Sequence, residues 1–188
     1  MTDLPAYRPL IEMLDRAMVE DDVEALTRRL ADGLHELASQ RRIALPESVR
    51  SVNPSTYARR LLHRCPERGY TVVAMTWGPG QQTQLHDHAG MWCVECVIEG
   101  RLEVVQYDLL ERVGDRCRFE RRGSVHAGVG DSGCLIPPFE HHVLRNALPA
   151  DRSVTVHVYA GEMERCNLYL PAEDGWWTRT ATELAYHD

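Results

Sequence analysis

The chain has 188 residues, the length of one domain or of a sizeable core preceded by a small helical segment. Its hydrophobic fraction of 44% and charged fraction of 26% exclude disordered and fibrous classes. With 28 acidic and 21 basic residues the net charge is −7, so nucleic acid is a poor partner. No apolar run approaches the ~20 residues of a membrane span.

The N-terminus and the cysteines predict a cytoplasmic, reduced protein. A secretory signal would begin with basic residues and continue into an unbroken apolar stretch, whereas the first residues here are mixed and acidic. Cys93 and Cys96 lie three apart in a stretch typical of a strand, a spacing that points them to opposite faces and disfavours a shared metal or a disulfide. We expect no nucleic-acid, membrane or protein partner.

The first third of the chain is predicted to be helical. Asp21 to Arg42 carries one apolar helical stripe, with Asp21 and Asp22 as N-terminal cap signals and Pro46 as the end signal. The residues of this stripe are Val23, Leu26, Leu30, Leu34 and Leu37. A second, short helix is predicted after Asn53-Pro54, ending before Pro66, and its residues include Tyr57, Arg59, Leu61 and Leu62.

From Tyr70 onward short β-rich runs are separated by Gly, Pro and Asp. These runs are YTVVAMTW, MWCVECVI, RLEVVQYD, CRFERR, SVTVHVY and CNLYL. Several short strands at this spacing are typical of an all-β barrel or sandwich. We therefore predict a mainly β protein of one domain overall, in which a helical segment, residues 1–69, packs on the outside of a barrel formed by residues 70–188.

Histidines predict a metal site in the β-rich part. His86 and His88 alternate at a strand edge, so both imidazoles leave the same face and can meet one ion. A third histidine is available in the adjacent pair His141 and His142. Asn146 follows His142 by four residues. Two or three histidines on neighbouring strands suit Fe, Zn, Cu or Ni.

These motifs resemble those of the cupin superfamily of small jelly-roll β-barrels. The first cupin motif is a Gly, five residues, His-x-His, usually a Glu, and a Gly after six more residues. Here these places hold Gly80, the pair His86 and His88, Cys93 at the Glu place, and Gly100. The second motif ends in His, three residues and Asn, which matches His142 and Asn146. The resemblance implies that His86, His88 and His142 are the metal ligands, with His141 as the alternative third ligand.

With Cys93 at the Glu place, the chain resembles the thiol dioxygenases within the cupins. The cysteine dioxygenases are the best known of these enzymes. That family holds Fe(II) with three neutral histidines. Other sequence motifs of that family also occur in this chain. They are Trp77-Gly-Pro-Gly, the alternating residues Thr155, His157 and Tyr159, and Cys166. The family usually has Ser where this chain has Thr155. The resemblance covers residues 57 to 170 or thereabouts, and it implies a thioether between Cys93 and Tyr159.

The residue chemistry agrees with this resemblance. Three imidazoles bring no negative charge to a divalent iron, so a neutral Cys93 in place of Glu favours a substrate that binds as a thiolate. Alternation puts Thr155, His157 and Tyr159 on one strand face, where a hydroxyl can hold the imidazole and the imidazole can orient the phenol. Such a relay would aim Tyr159 at bound oxygen and manage a proton.

Tyr57 and Arg59 match the Tyr-x-Arg of cysteine dioxygenases, and with Trp77 they are the predicted substrate-binding residues. A related branch that prefers 3-mercaptopropionate carries Gln in place of this arginine. A guanidinium pairs with a carboxylate bidentately, which Gln cannot match in charge. Arg60 and Arg64 lie close by in sequence, so a dicarboxylate such as mercaptosuccinate stays open.

The leading hypothesis is an iron enzyme that inserts both atoms of O2 into a small thiol acid, with conversion of L-cysteine to cysteine sulfinate as the first choice. The same chemistry on 3-mercaptopropionate or mercaptosuccinate is the first alternative. A non-catalytic cupin that senses or stores a small acid is an alternative of another class. A Zn or Mn isomerase or lyase of cupin type is disfavoured, because such enzymes usually retain the carboxylate ligand.

Overall fold

The computed structural model describes residues 7–187, which include three α-helices and eleven strands. The helices are α1 (Arg8–Ala17), α2 (Val23–Ser39) and α3 (Glu47–Arg50). The first strands are β1 (Ala58–Cys65), β2 (Tyr70–Trp77), β3 (Leu85–His86), β4 (Cys93–Glu99), β5 (Leu102–Val113) and β6 (Arg116–Ala127). They are followed by β7 (Ser132–Leu135), β8 (His142–Asn146), β9 (Ser153–Tyr159), β10 (Arg165–Pro171) and β11 (Trp177–Glu183).

The strands are arranged in two antiparallel sets. One is a five-stranded sheet with the order β1, β2, β9, β4, β7. In the other, the strands β10, β11, β6, β5, β8 and β3 are hydrogen-bonded in a closed ring, since β3 also pairs with β10. The prediction of a mainly β barrel is confirmed. Within residues 7–187, no helix has the length and apolar character needed to cross a membrane.

The N-terminal helices lie on the outer face of the five-stranded sheet, as predicted. The side chain of Asp22 caps α2 by accepting a hydrogen bond from the Ala25 N–H at 2.8 Å. Four residues of the predicted stripe, Leu26, Leu30, Leu34 and Leu37, are buried in one cluster with outward-facing residues of β2, β4 and β9. These sheet residues are Val72, Ala74, Val94, Cys96, Val154, Val156 and Val158. Val23, the first residue of α2, is instead 39% exposed. Burial of this stripe, and not intrinsic helix propensity, accounts for the position of the helix.

The prediction of a short helix after Asn53-Pro54 is wrong, because most of this segment forms β1. It pairs antiparallel with β2 in a register that sets Arg59 opposite Met75 and Cys65 opposite Tyr70. Pairing satisfies the backbone donors and acceptors along the edge of β2, a long-range gain that outweighs local helix propensity. Arg59 is therefore a strand residue. The division of the chain at residues 69 and 70 stays a prediction, and the first sheet strand lies on its helical side.

The two central strands, β2 and β9, are buried along their whole length. On β9 the valines face the helices, whereas the alternate residues Thr155, His157 and Tyr159 face the interior between the two sheets. Cys93 and Cys96 lie in different apolar clusters on opposite faces of β4, which confirms the prediction from their spacing. The inner face of the five-stranded sheet thus supplies the residues with chemical function.

Candidate functional site

Three histidines converge between the two sheets. His86 at the end of β3 pairs directly with His142 on β8, and His88 follows in the loop after β3. The ring centroids are 4.7 Å apart for His86 and His142, 5.1 Å for His88 and His142, and 5.3 Å for His86 and His88. One ring nitrogen from each lies within 4.8 Å of the others. This separation lets a single ion contact all three.

Burial keeps the imidazoles of His86 and His142 in the neutral form that binds metals. His142 is fully buried and His88 is 1% exposed. Burial lowers the pKa of His86 to about 3, and the neighbouring His88 adds to this effect. Burial also lowers the pKa of His142 well below its usual value, with further contributions from His86 and His88.

The hydrogen bonds of the three rings leave nitrogens available for an ion. The Nδ1–H of His86 donates to the carbonyl of Gln84 at 3.0 Å, which leaves its Nε2 lone pair free. The Nδ1 of His88 lies 3.4 Å from the Glu140 carboxylate. Within the described part of the chain, neither ring nitrogen of His142 has a hydrogen-bond partner. A buried, unpaired imidazole is costly, so a metal ion fits this set of donors.

Two acidic residues that sequence reasoning missed position the loop carrying His88. The Glu140 carboxylate also accepts a hydrogen bond from the His88 backbone N–H at 3.0 Å. Asp87 accepts from the Asn167 side chain at 2.7 Å and from the Tyr169 hydroxyl at 2.9 Å. Burial raises the pKa of Asp87, but its hydrogen bonds outweigh burial and the pKa is lowered. In the sequence, these two acids are marked only by their positions, Asp87 between His86 and His88 and Glu140 just before His141.

His141 lies outside the cluster. Its ring packs against Phe119 at 5.1 Å and Tyr169 at 5.4 Å between centroids, in the second sheet. Adjacent residues on an extended segment point to opposite sides, so only one of the pair can face the other histidines. The structure places His142 there, in agreement with the motif register.

Thr155 and His157 form the hydroxyl and imidazole pair that was predicted. The Thr155 Oγ1 lies 2.8 Å from the His157 Nε2 and accepts a hydrogen bond from the Trp77 indole at 3.0 Å. The His157 ring stacks on Tyr159, with the planes 13° apart and centroids 6.0 Å apart. Its second nitrogen, Nδ1, faces the Glu95 carboxyl at 3.5 Å. His157 therefore contacts the phenol through ring stacking, and its Nδ1 points to Glu95.

Cys93 and Tyr159 lie directly opposite each other on β4 and β9. Both side chains are buried. Burial raises the pKa of the Cys93 thiol well above its usual value, nearby Glu95 raises it further, and a side-chain hydrogen bond with Tyr159 acts in the opposite direction. Burial likewise raises the pKa of Tyr159. At neutral pH both groups keep their protons.

A cavity of about 90 Å³ opens onto the histidine cluster. Its wall includes the three clustered histidines, His157, Tyr159, Tyr57, Arg59 and Cys166. Trp77 stands behind Tyr57, with the rings 4.7 Å apart, and contributes through its hydrogen bond to Thr155. Cys93 and Thr155 also lie behind the wall. The small volume limits a ligand to a few heavy atoms.

Arg59 is the cation of this cavity. It is 5% exposed, and its guanidinium donates to the carbonyls of Ala185 and Met163, each at 3.3 Å. The Tyr186 ring lies 5.2 Å from the guanidinium carbon. The segment after β11 covers Arg59, since the His187 N–H donates to its carbonyl at 2.7 Å. No sequence signal connected this C-terminal segment with the site.

The two neighbouring arginines point elsewhere. Arg60 donates to the backbone carbonyls of Val49 and Ser51 near α3, at 3.0 and 2.9 Å. Arg64 pairs with Glu162 near the surface. Among residues 7–187, Arg59 is the one arginine in the cavity wall.

Comparisons with known proteins find one matching sequence family and several structures of similar fold. The family described as cysteine dioxygenase type I matches residues 41–171. Among solved structures, the protein TT1209 from Thermus thermophilus is 18% identical over 63% of this chain and 96% of its own, with a TM-score of 0.48. A conserved protein with a double-stranded β-helix domain from Klebsiella pneumoniae is 18% identical over 74% and 98%, also with a TM-score of 0.48. An RmlC-like cupin protein from Desulfovibrio desulfuricans is 20% identical over 60% and 90%, with a TM-score of 0.43.

Proposed function

Because this chain belongs to the cysteine dioxygenase type I family, we propose that it is an iron-dependent thiol dioxygenase that converts L-cysteine to cysteine sulfinate. Both atoms of O2 are added to the sulfur, so that R–SH and O2 give R–SO2H with no external reductant. The observation that carries the proposal is that three buried, clustered histidines share one small cavity with Arg59 and Tyr159.

Fe(II) is the metal proposed for His86, His88 and His142. Three neutral imidazoles contribute no negative charge, which favours a thiolate as the anionic partner of the ion. When bound, Fe(II) supplies the redox chemistry that allows O2 to react with a thiol. Glu140 orients His88, and the Gln84 carbonyl fixes the tautomer of His86.

Arg59 is proposed to hold the substrate carboxylate. A carboxylate that enters a buried cavity loses its hydration, and a guanidinium compensates by charge-assisted hydrogen bonds. The carbonyls of Ala185 and Met163 keep the Arg59 side chain in place before a ligand binds. A preorganised cation of this kind reduces the ordering cost of binding.

The positions of the three arginines bear on the choice of substrate. A second carboxylate, as in mercaptosuccinate, would be stabilised by a second arginine in the cavity, and neither Arg60 nor Arg64 is among its lining residues. 3-Mercaptopropionate has a single carboxylate and fits Arg59 as well as cysteine does in charge. The presence of Arg where the branch specific for that substrate carries Gln favours cysteine.

Tyr159 is proposed to manage a proton at the reacting sulfur and oxygen atoms. Its raised pKa keeps the hydroxyl protonated, so it acts as a donor. His157 stacks on the phenol and is held by the hydroxyl of Thr155, at the place where the family usually has Ser. Thr155 and His157 therefore serve as positioning residues behind Tyr159.

We also propose a thioether between Cys93 and Tyr159. Its formation joins the thiol sulfur to a ring carbon next to the hydroxyl and removes two hydrogens, with O2 as the oxidant. The register of β4 and β9 supports this link, because directly opposed residues on antiparallel strands have Cα atoms about 4.5–5.5 Å apart.

Oxygen uptake by protein loaded anaerobically with Fe(II) tests the function. L-cysteine, 3-mercaptopropionate, mercaptosuccinate and cysteamine are compared side by side, with sulfinate product quantified by mass spectrometry. We expect the highest kcat/KM with L-cysteine and one sulfinate per O2 consumed. Binding of cysteine without O2 uptake would instead identify a non-catalytic cupin that senses or stores a small acid.

A further inference from the structure

A buried acid, Glu95, lies directly behind the proposed proton-handling residues. It is on the inner face of β4, is 7% exposed, and its Oε2 is 3.5 Å from the His157 Nδ1. Within residues 7–187, that oxygen has no hydrogen-bond partner. A buried carboxyl without a cation is costly, so its place beside His157 calls for a functional explanation.

Glu95 also borders a second cavity, of about 350 Å³, between β4, β5, β6 and β7. Thr155 lines this cavity as well, whereas His157 lines the cavity of the histidine cluster. The exposed residues His126 and Asp131 belong to the same wall, so the second cavity reaches solvent. Glu95, Thr155 and His157 together separate the two cavities.

The hydrogen-bond directions around His157 depend on Glu95. The Trp77 indole N–H can only donate, so the Thr155 oxygen accepts from it in every state. The remaining bond, between Thr155 and the His157 Nε2, can run in either direction. Its direction is decided at the other nitrogen, Nδ1, which faces Glu95.

We propose that Glu95 is a positioning residue that determines which nitrogen of His157 carries the proton, and that a change between the two forms releases one proton, through Thr155, to water in the second cavity. The proposal rests on the function above, because His157 matters to catalysis through its contact with Tyr159. It concerns residues behind the reacting atoms and adds no contact with substrate.

The two states differ by one proton. When Glu95 is a carboxylic acid, its O–H donates to Nδ1, and the Nε2–H of His157 donates to Thr155. In the exchange, the Glu95 proton passes to Nδ1, the Nε2 proton passes to the Thr155 oxygen, and the original Thr155 hydroxyl proton leaves to water in the cavity. Thr155 then donates to Nε2, Nδ1–H donates to the carboxylate, and no electrons are transferred.

Burial raises the pKa of Glu95 to about 8, so the exchange falls in an accessible pH range. Ionised Glu95 would place a negative charge near Cys93 and Tyr159, and it raises the pKa of both. A less acidic Tyr159 is a poorer donor, so the protonated state is the active one. The titratable groups that surround Glu95 from the adjoining strands and loops are Cys93, Cys96, His126, Asp131, Cys134, His157 and Tyr159.

The first test compares the pH profiles of kcat for cysteine in wild type, Glu95→Gln and Glu95→Leu. The Gln amide donates to Nδ1 as the acid does, so Glu95→Gln should keep wild-type turnover near neutral pH and lose the decline above the Glu95 pKa. Leu cannot donate, so Glu95→Leu should lose about tenfold in kcat with little change in KM, as expected for one missing hydrogen bond. His126→Gln, a change at the cavity mouth, should keep the wild-type profile.

A second readout needs no activity. In protein labelled with 15N-histidine and supplied with Zn(II), the His157 ring shifts should change tautomer pattern with pH in wild type and stay constant in Glu95→Gln. An alkaline decline or a tautomer change that persists in Glu95→Gln, or equal turnover in the Gln and Leu variants, would overturn the proposal. If no thiol is oxidised by wild type, the proposed function fails, while the NMR titration still decides the role of Glu95.

Discussion

At the scale of single residues, His142 shows best how burial indicates a ligand. Its ring is fully enclosed, and neither nitrogen has a hydrogen-bond partner among the described residues. The adjacent His141 packs against aromatic rings of the second sheet. Two neighbouring histidines thus have different environments, and only His142 lies in the cluster with His86 and His88.

His142→Ala should therefore remove metal from the purified protein, whereas His141→Ala, its matched control, should retain it. The loss of one of three ligands leaves two histidines that cannot close the site. Metal content by inductively coupled plasma mass spectrometry checks both variants, with O2 uptake as a second measurement. The opposite pattern would show that His141 supplies the third ligand.

Arg59→Ala should lower kcat/KM for cysteine roughly ten- to a hundredfold, because charge-assisted hydrogen bonds contribute about 1.5–3 kcal/mol. Cysteamine has no carboxylate, so it should be a poor substrate for wild type and lose little more in the variant. Arg64→Ala is the control, since this side chain pairs with Glu162 near the surface. Steady-state kinetics with both substrates measure the difference. Unchanged cysteine oxidation in Arg59→Ala would transfer the anchoring role to another group.

At the scale of elements, strand register decides which side chains lie opposite each other in the site. The pairing of β4 with β9 places Cys93 opposite Tyr159 and Glu95 opposite His157. A shift of one residue would turn every one of these side chains to the helix-covered face. The valines of β9, buried against α2 and its neighbours, stabilise the observed register.

This register predicts that the thioether between Cys93 and Tyr159 forms during turnover. Protein incubated with cysteine and O2 should show a species lighter by two hydrogens in intact-mass spectra, and Cys93→Ser should not. Cys96→Ser is the matched control, because Cys96 lies on the opposite face of β4. Only unmodified mass after prolonged turnover would mean that the link does not form.

At the scale of the whole molecule, the histidine cluster connects segments that are distant in sequence. β3 and β8 belong to the closed ring of strands, and His86 and His142 form a direct pair between them. An ion bound here joins these strands in the folded state only, because the unfolded chain does not hold the three ligands together. Metal binding is therefore coupled to folding stability.

Removal of the metal by a chelator should lower the Tm of wild type by roughly 10 °C, if the metal is supplied at about a thousand times its Kd. The Tm of His142→Ala should not respond to the chelator, because it retains no metal. Thermal unfolding followed by circular dichroism measures both. Equal Tm values for metal-loaded and chelated wild type would contradict a metal that bridges β3 and β8.

The sequence by itself determined those features that depend on local spacing. The stripe of α2 follows from helical periodicity and its cap from Asp22, the His-x-His pair and the second motif identified the three histidines that cluster, and the cupin-type barrel followed from these motifs together. In each case neighbours in the chain carry the signal, because side-chain direction repeats with the period of a helix or a strand.

Only the tertiary structure decided the features that depend on long-range pairing. The residues of β1 resemble a helix locally, yet they pair with the edge of β2, where backbone hydrogen bonding outweighs propensity. Arg59 is enclosed by a segment more than a hundred residues away, and Glu95 meets His157 from another strand. Such contacts leave no periodic trace in the sequence, because they arise when folding brings separate strands face to face.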